Sequence, residues 1–151
     1  MIKVEISNKK ATYDYFIEET YEAGIVLKGT EIKSVRQGSA NLQDSYAIVK
    51  KGEIYLLNMF IAPYDRGNQF NHNERRTRKI LLHKREILKI ANRVNIEGYT
   101  LVPLKLYFKE NKAKILLGIA KGKKNYDKRE TIKKRDLERE ARKEAKYSVR
   151  G

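Results

Sequence analysis

The chain holds only two histidines, His72 and His83, and no cysteine. Two imidazoles and a lysine suffice to cleave RNA by general acid–base catalysis, one ring taking a proton while the other gives one. Nothing in their spacing sets His72 beside His83, and each reads more simply as a loop or surface residue. Without cysteine there is no disulfide, thiolate metal site or thiol nucleophile. Gly118-x-x-x-Gly122-Lys123 falls one residue short of a phosphate-binding loop, and no Ser or Thr follows its lysine. Glu18 and Glu19 are neighbours that alternate faces on a strand, so they do not form an acid–base pair. These residues point to no enzyme, no cofactor and no metal.

Positive charge is the stronger chemical signal. The formal net charge is +15 over 151 residues. From Lys121 to Gly151 there are thirteen Lys/Arg against six Asp/Glu, with too few apolar residues to bury a core. Arg75, Arg76, Arg78 and Lys79 form a second basic cluster, able to contact phosphates. Tyr126 sits between Lys124 and Asp127 with no core nearby, where an aromatic ring can stack on a base. A small domain with this excess of charge reads as a binder of a polyanion, nucleic acid above all. No apolar run approaches membrane-spanning length and no leader pattern opens the chain, so a cytoplasmic protein without a membrane partner is expected.

The elements that must carry these residues are short. Tyr13, Tyr15 and Ile17 alternate with polar residues as in a half-buried strand, and Glu22-Ala23-Gly24 breaks it. Ile25 and Leu27 open a second strand. Thr30 is the expected N-cap of a helix over 31–36, with Gly38 as its stop. Tyr46–Val49 and Glu53–Leu57 flank Lys51-Gly52 as a hairpin. Residues 65–73 read as a loop and 80–82 as a buried strand. Lys84–Val94 reads as a helix with Ile87, Leu88 and Ile90 on one side. Thr100–Phe108 and Lys112–Ile119 flank Glu110-Asn111 as a second hairpin, and Pro103 marks an edge or a bulge. The fold class is therefore mainly β with short helices: six or more short strands and two helices suit a small closed or partly open antiparallel barrel. The body spans 1–120; the basic tail, 121–151, is expected to be disordered alone and helical on a partner.

Several stretches together resemble one family, the SmpB or tmRNA-binding proteins of bacterial trans-translation. They are NKKATYDYFIEETYEAGIVLKGTEIKSVRQG at Asn8–Gly38, ANLQDSY at Ala40–Tyr46, RTRKILLHKREI at Arg76–Ile87 and GIAKGKKNYDKR at Gly118–Arg129. Glu74 is a departure, standing where the family usually has proline. The resemblance implies an oligonucleotide-binding-like barrel of about six to eight strands with two to three helices packed on it. It also implies a protein that binds the tRNA-like domain of tmRNA, in place of the missing anticodon arm. With elongation factor Tu and GTP it enters the A site of a stalled ribosome. There its tail occupies the empty mRNA channel, so that the nascent chain is tagged and the ribosome released. A monomer is implied.

Carried over by motif, the tmRNA-binding positions are Glu22, Leu81 and His83, with Asn8, Lys9, Lys10, Lys33, Arg36, Arg78 and Lys79 as phosphate or base contacts. Glu22 is equally readable as a structural pairing, Leu81 as a core residue, and His83 as a nucleotide contact or a core residue. In the tail, Lys123, Lys124, Tyr126, Asp127, Lys128 and Arg129 match the family signature and would meet the decoding centre. Lys133, Lys134, Arg135, Arg139 and Arg142 continue the ribosome-binding charge, and Leu137 gives an induced helix its apolar anchor. The alternative is a generic single-stranded RNA-binding protein of the same barrel type.

Overall fold

A computed structural model describes residues 4–64 and 71–123. Two tight hairpins organise it. Tyr46–Lys50 (β4) and Glu53–Leu57 (β5) are joined by Lys51 and Gly52 at φ 50° and 76°. That is the left-handed pair a two-residue turn needs to match the twist of its strands. Thr100–Lys109 (β8) and Lys112–Gly122 (β9) turn in the same way through Glu110 and Asn111, at φ 52° and 64°. The remaining strands are Glu5–Ser7 (β1), Tyr15–Ile25 (β2), Ala40–Asn41 (β3), Phe60–Ile61 (β6) and Arg78–Leu81 (β7). The helices are Lys9–Asp14 (α1), Gly29–Arg36 (α2) and Lys84–Ala91 (α3), the last continued by a π-helical turn over Asn92–Ile96.

The sheet runs β1-β8-β4-β5-β7-β2-β9, and β9 pairs back onto β8. That last pairing closes β8, β4, β5, β7, β2 and β9 into an antiparallel barrel, removing its open edges. β1 is a spur on β8, and β3 pairs with β6 as a separate ribbon. The barrel expected from the sequence is borne out. Its interior holds Ala23, Ile25, Leu56, Ile80, Leu101, Leu106, Ile115, Leu117 and Ile119, capped by Val35 of α2 and Ile87 and Ile90 of α3. Each such valine, leucine or isoleucine side chain stabilises the fold by roughly 1.5–3 kcal/mol on full burial. A second cluster of Ala11, Val102, Leu104 and Ala120 lies beneath α1 on the outside of β8 and β9. Among the described residues no helix is long and apolar enough to cross a membrane.

Several local expectations are corrected. The strand expected from Tyr13 starts at Tyr15, because residues 9–14 form α1. Asn8 holds that helix in place: its Oδ1 accepts from the Ala11 N–H at 3.2 Å, while its Nδ2 donates to the Pro103 and Leu42 carbonyls. Tyr13 is left 81% exposed. Glu22-Ala23-Gly24 does not break β2, nor does a new strand begin at Ile25; one strand runs through to that residue. Thr30 is not the N-cap. α2 begins at Gly29, Glu31 Oε1 accepts from the Lys28 N–H at 2.7 Å, and the Thr30 hydroxyl pairs with His72 instead. Leu88 faces solvent rather than the core. Pro103 lies at a bulge, where the pairing of β8 with β9 shifts between Pro103 and Lys105. β9 runs two residues beyond the expected boundary at 120.

Candidate nucleic-acid interface

Strand alternation decides which side chains the barrel shows to the outside. In β2, Ala23 and Ile25 point inward, so Glu22 and Gly24 point outward. In β7, Arg78 and Ile80 are buried and Lys79 and Leu81 exposed. The register sets Leu81 opposite Gly24, and Gly24 opposite Lys114 of β9. A Cβ on Gly24 would lie 3.5 Å from that of Leu81, so the missing side chain leaves Leu81 standing clear. Leu81 is 50% exposed, and the reading of it as a core residue is corrected. A groove of about 540 Å³ opens here, lined by Gly24, Val26, Leu27, Ile32, Leu81, Lys112 and Lys114 among others. His83 follows two residues after Leu81, exposed at the N-cap of α3. Glu22 and Leu81 thus share one outward face, and the chain carries His83 out of it.

Glu22 is held as well as exposed. The Tyr107 hydroxyl donates to its Oε2, and Lys109 Nζ lies 3.3 Å from its Oε1. The Tyr107 hydrogen bond, with help from Lys109 and Lys114, keeps the carboxyl below its ordinary range despite some desolvation. Partial burial and the same carboxylate push the Tyr107 phenol up to about 12. Glu22 is therefore an anion at neutral pH, presented with one edge tied down. A carboxylate so fixed can accept from a base amino group. The basic rim of Lys109, Lys112 and Lys114 was not singled out by motif. The alternation Lys112-Ala113-Lys114 on a strand was the available signal, since it sets both lysines outward.

Other expected contacts take different places. Arg78 is an interior residue: no part of it is exposed, its Nε donates to Glu31 Oε2 at 2.7 Å, and its Nη1 donates to the Met59 carbonyl at 2.7 Å. Arg76 closes the other side of that carboxylate with bonds of 2.9 and 2.6 Å. Burial alone would push the Glu31 carboxyl up, but these bonds, the Lys28 N–H and the Arg78 charge outweigh it and hold it below its ordinary value. Arg78 and Asn8 therefore serve the fold, a correction to their expected RNA contact. Lys9 and Lys10 are exposed on α1, with Lys10 3.9 Å from both Asp14 and Asp44. Lys33 lies over the Tyr64 ring at 5.4 Å and Arg36 over Phe108 at 4.2 Å, toward the β8–β9 hairpin. Lys79 is exposed, 3.7 Å from Glu53.

His72 does not sit with His83. Its ring is buried, with Nδ1 2.8 Å from the Thr30 hydroxyl and Nε2 2.9 Å from the Ile61 carbonyl. The carbonyl accepts only, so Nε2 donates to it, while Nδ1 pairs with the Thr30 hydroxyl. Both nitrogens are occupied in bracing α2 against β6, which leaves no histidine pair for acid–base work. Of the expected ribosome-binding positions in the tail, Lys123 is described. Its Nζ lies 3.3 Å from the Thr12 carbonyl and 5.1 Å from the Phe16 ring centre. Lys124, Tyr126, Asp127, Lys128, Arg129, Lys133, Lys134, Arg135, Leu137, Arg139 and Arg142, like residues 65–70 of the expected loop, lie outside the described residues.

Comparison with known proteins shows the family. The family model for SmpB protein matches residues 5–147. An SsrA-binding protein of Geobacillus sp. (strain WCH70) is 62% identical over 138 residues, 91% of this chain and 89% of that one. The SsrA-binding protein of Bacillus subtilis (strain 168) is 56% identical over 149 residues, covering 99% of this chain and 96% of its own. A solved structure described as "tmRNA-SmpB: a journey to the center of the bacterial ribosome" is similar with a TM-score of 0.71 and 50% identity. It covers 90% of this chain and 96% of its own. With the closed barrel, the outward Glu22–Leu81 face and a match over nearly the whole length in hand, the chain belongs to the SmpB family.

Proposed function

We propose that this chain binds the tRNA-like domain of tmRNA and serves trans-translation, the rescue of stalled ribosomes with tagging of the nascent chain. The observation that carries the reading is the outward face of β2, β7 and β9. There an exposed leucine, a tethered carboxylate and a rim of lysines stand together on a rigid barrel. Lysines supply phosphate contacts, Glu22 accepts from a base edge, and Leu81 and His83 pack against nucleotide surfaces. Such a site reads a folded RNA by shape and by a few polar contacts.

The residues from Lys123 onward act separately. Their charge suits ribosomal RNA, whose phosphates compensate the ordering of a polar segment. In this reading Tyr126 stacks on a ribosomal base in the decoding centre, and the segment through Arg142 fills the empty mRNA channel with Leu137 as its apolar anchor. Elongation factor Tu with GTP delivers the complex, and the protein works as a cytoplasmic monomer.

The test is binding to the isolated tRNA-like domain of tmRNA beside an ordinary tRNA, across a salt series. Binding to the tmRNA domain outlasts tRNA binding as salt rises. Equal affinities that collapse together would mean charge-driven association alone, and a generic RNA binder in place of this reading.

A further inference from the structure

The outward side of β4 and β5 carries a surface that the reading above leaves unused. Ile48 lies opposite Tyr55, and Tyr55 opposite Lys79 of β7. A groove of about 430 Å³ runs here, lined by Ile48, Lys50, Lys51, Tyr55, Leu57 and Thr77. Outward strand positions facing water are ordinarily polar. Here Ile48, Tyr55 and Leu57 are only partly covered, while Lys50, Lys51 and Lys79 stand exposed around them. Among the described residues, the carboxylate paired within this ring is Glu53, 3.7 Å from Lys79.

An aromatic and aliphatic floor inside a ring of lysines suits a flat, apolar group that carries negative charge. An uncharged protein surface would cover the floor but leave the lysines desolvated and unpaired, which is costly. A nucleotide meets both needs: its base stacks on the tyrosine face and its phosphates reach the ammonium groups. The two outward faces are also continuous. Lys79 and Leu81 point to the same side of β7, and the Val26 N–H donates to the Lys79 carbonyl at 3.0 Å, which ties this side to β2.

We infer that the β4–β5 face is a second RNA contact, where an unpaired nucleotide stacks on Tyr55 and its phosphates are held by Lys50, Lys51 and Lys79. This contact does not rest on the tmRNA reading; any RNA with an accessible unstacked base would fit it.

Photo-crosslinking the full-length chain to a thiouridine-substituted oligouridylate, with binding measured at a salt concentration that suppresses purely ionic association, tests it. The crosslink is expected within β5. Tyr55→Leu, which keeps an apolar strand residue but removes the ring, is expected to weaken binding about tenfold. Tyr55→Phe, which keeps the ring, is expected to bind as the parent does. The exposed pair Lys50→Glu and Lys51→Glu is expected to weaken binding and to flatten its salt dependence. Circular dichroism checks that each variant is folded. Crosslinks confined to Leu81–His83 or to residues beyond Lys123 would overturn the inference. So would parental binding by both Tyr55→Leu and the lysine pair, or no measurable binding of the oligouridylate.

Discussion

Glu22 and Glu31 are both carboxylates in a basic protein, and their surroundings give them opposite tasks. Glu22 is exposed and tethered by Tyr107 and Lys109. Replacing Glu22 and His83 together by alanine removes two outward groups and no core contact. The double variant is expected to keep the parental circular dichroism and melting behaviour but to lose affinity for the tRNA-like domain, measured by titration; unchanged affinity would remove both residues from the site. Glu31 is fully buried between Arg76 and Arg78. Glu31→Ala leaves the Arg78 charge buried without its partner, a loss of about 3–5 kcal/mol for a broken interior pair. Urea unfolding reads this directly. The folded carboxyl titrates below its ordinary value of 4.5, so the ion cluster contributes fully above that pH and fades as the pH falls through the lower folded value. The parent is therefore expected to lose stability in acid more steeply than Glu31→Ala. The sequence made the basic cluster at 75–79 visible but not its division of labour. Alternation alone sends Lys79 out and Arg78 in, yet only the three-dimensional approach of α2 puts Glu31 where Arg78 ends.

The elements were legible where local chemistry sets them and hidden where distant contacts do. Lys51-Gly52 and Glu110-Asn111 announce hairpins because Gly52 and Asn111 readily take the left-handed conformation a two-residue turn requires. α1 carried one local sign, the N-cap Asn8, whose Oδ1 accepts from the Ala11 N–H; the Leu42 and Pro103 carbonyls that fix its amide lie far along the chain. β2 crosses Gly24 unbroken because pairing with both β7 and β9 outweighs glycine's weak strand preference. Gly118 of β9 carries a sharper constraint. A Cβ there would lie 3.0 Å from Leu104 Cδ1 and 3.2 Å from Ile17 Cγ2, both part of the cluster under α1. Gly118→Val would drive a branched side chain into that contact and is expected to cost about 1–3 kcal/mol by overpacking. A lowered urea midpoint with an unchanged slope would show it; a midpoint equal to the parent's would mean that Leu104 swings aside freely.

At the scale of the whole molecule, charge is divided between a barrel that presents a shaped face and a segment with almost nothing to bury. Lys121 to Gly151 carries +7 of the formal +15, so roughly half the electrostatic attraction to any polyanion comes from a fifth of the chain. If the two parts do separate jobs, truncation after Lys123 should distinguish them. That cut keeps β9 whole, because the strand ends at Gly122, and it keeps Lys123 against Thr12 and Phe16. The truncated protein is expected to fold as the parent does and to bind the tRNA-like domain within a few-fold of parental affinity. Its salt dependence should be shallower, since fewer counterions are released per complex. In a reconstituted reaction with stalled ribosomes it is expected to tag no nascent chain. Loss of most tmRNA affinity on truncation would mean that the tail, rather than the Glu22–Leu81 face, holds the RNA. Tagging at the parental level would mean that the barrel alone engages the ribosome.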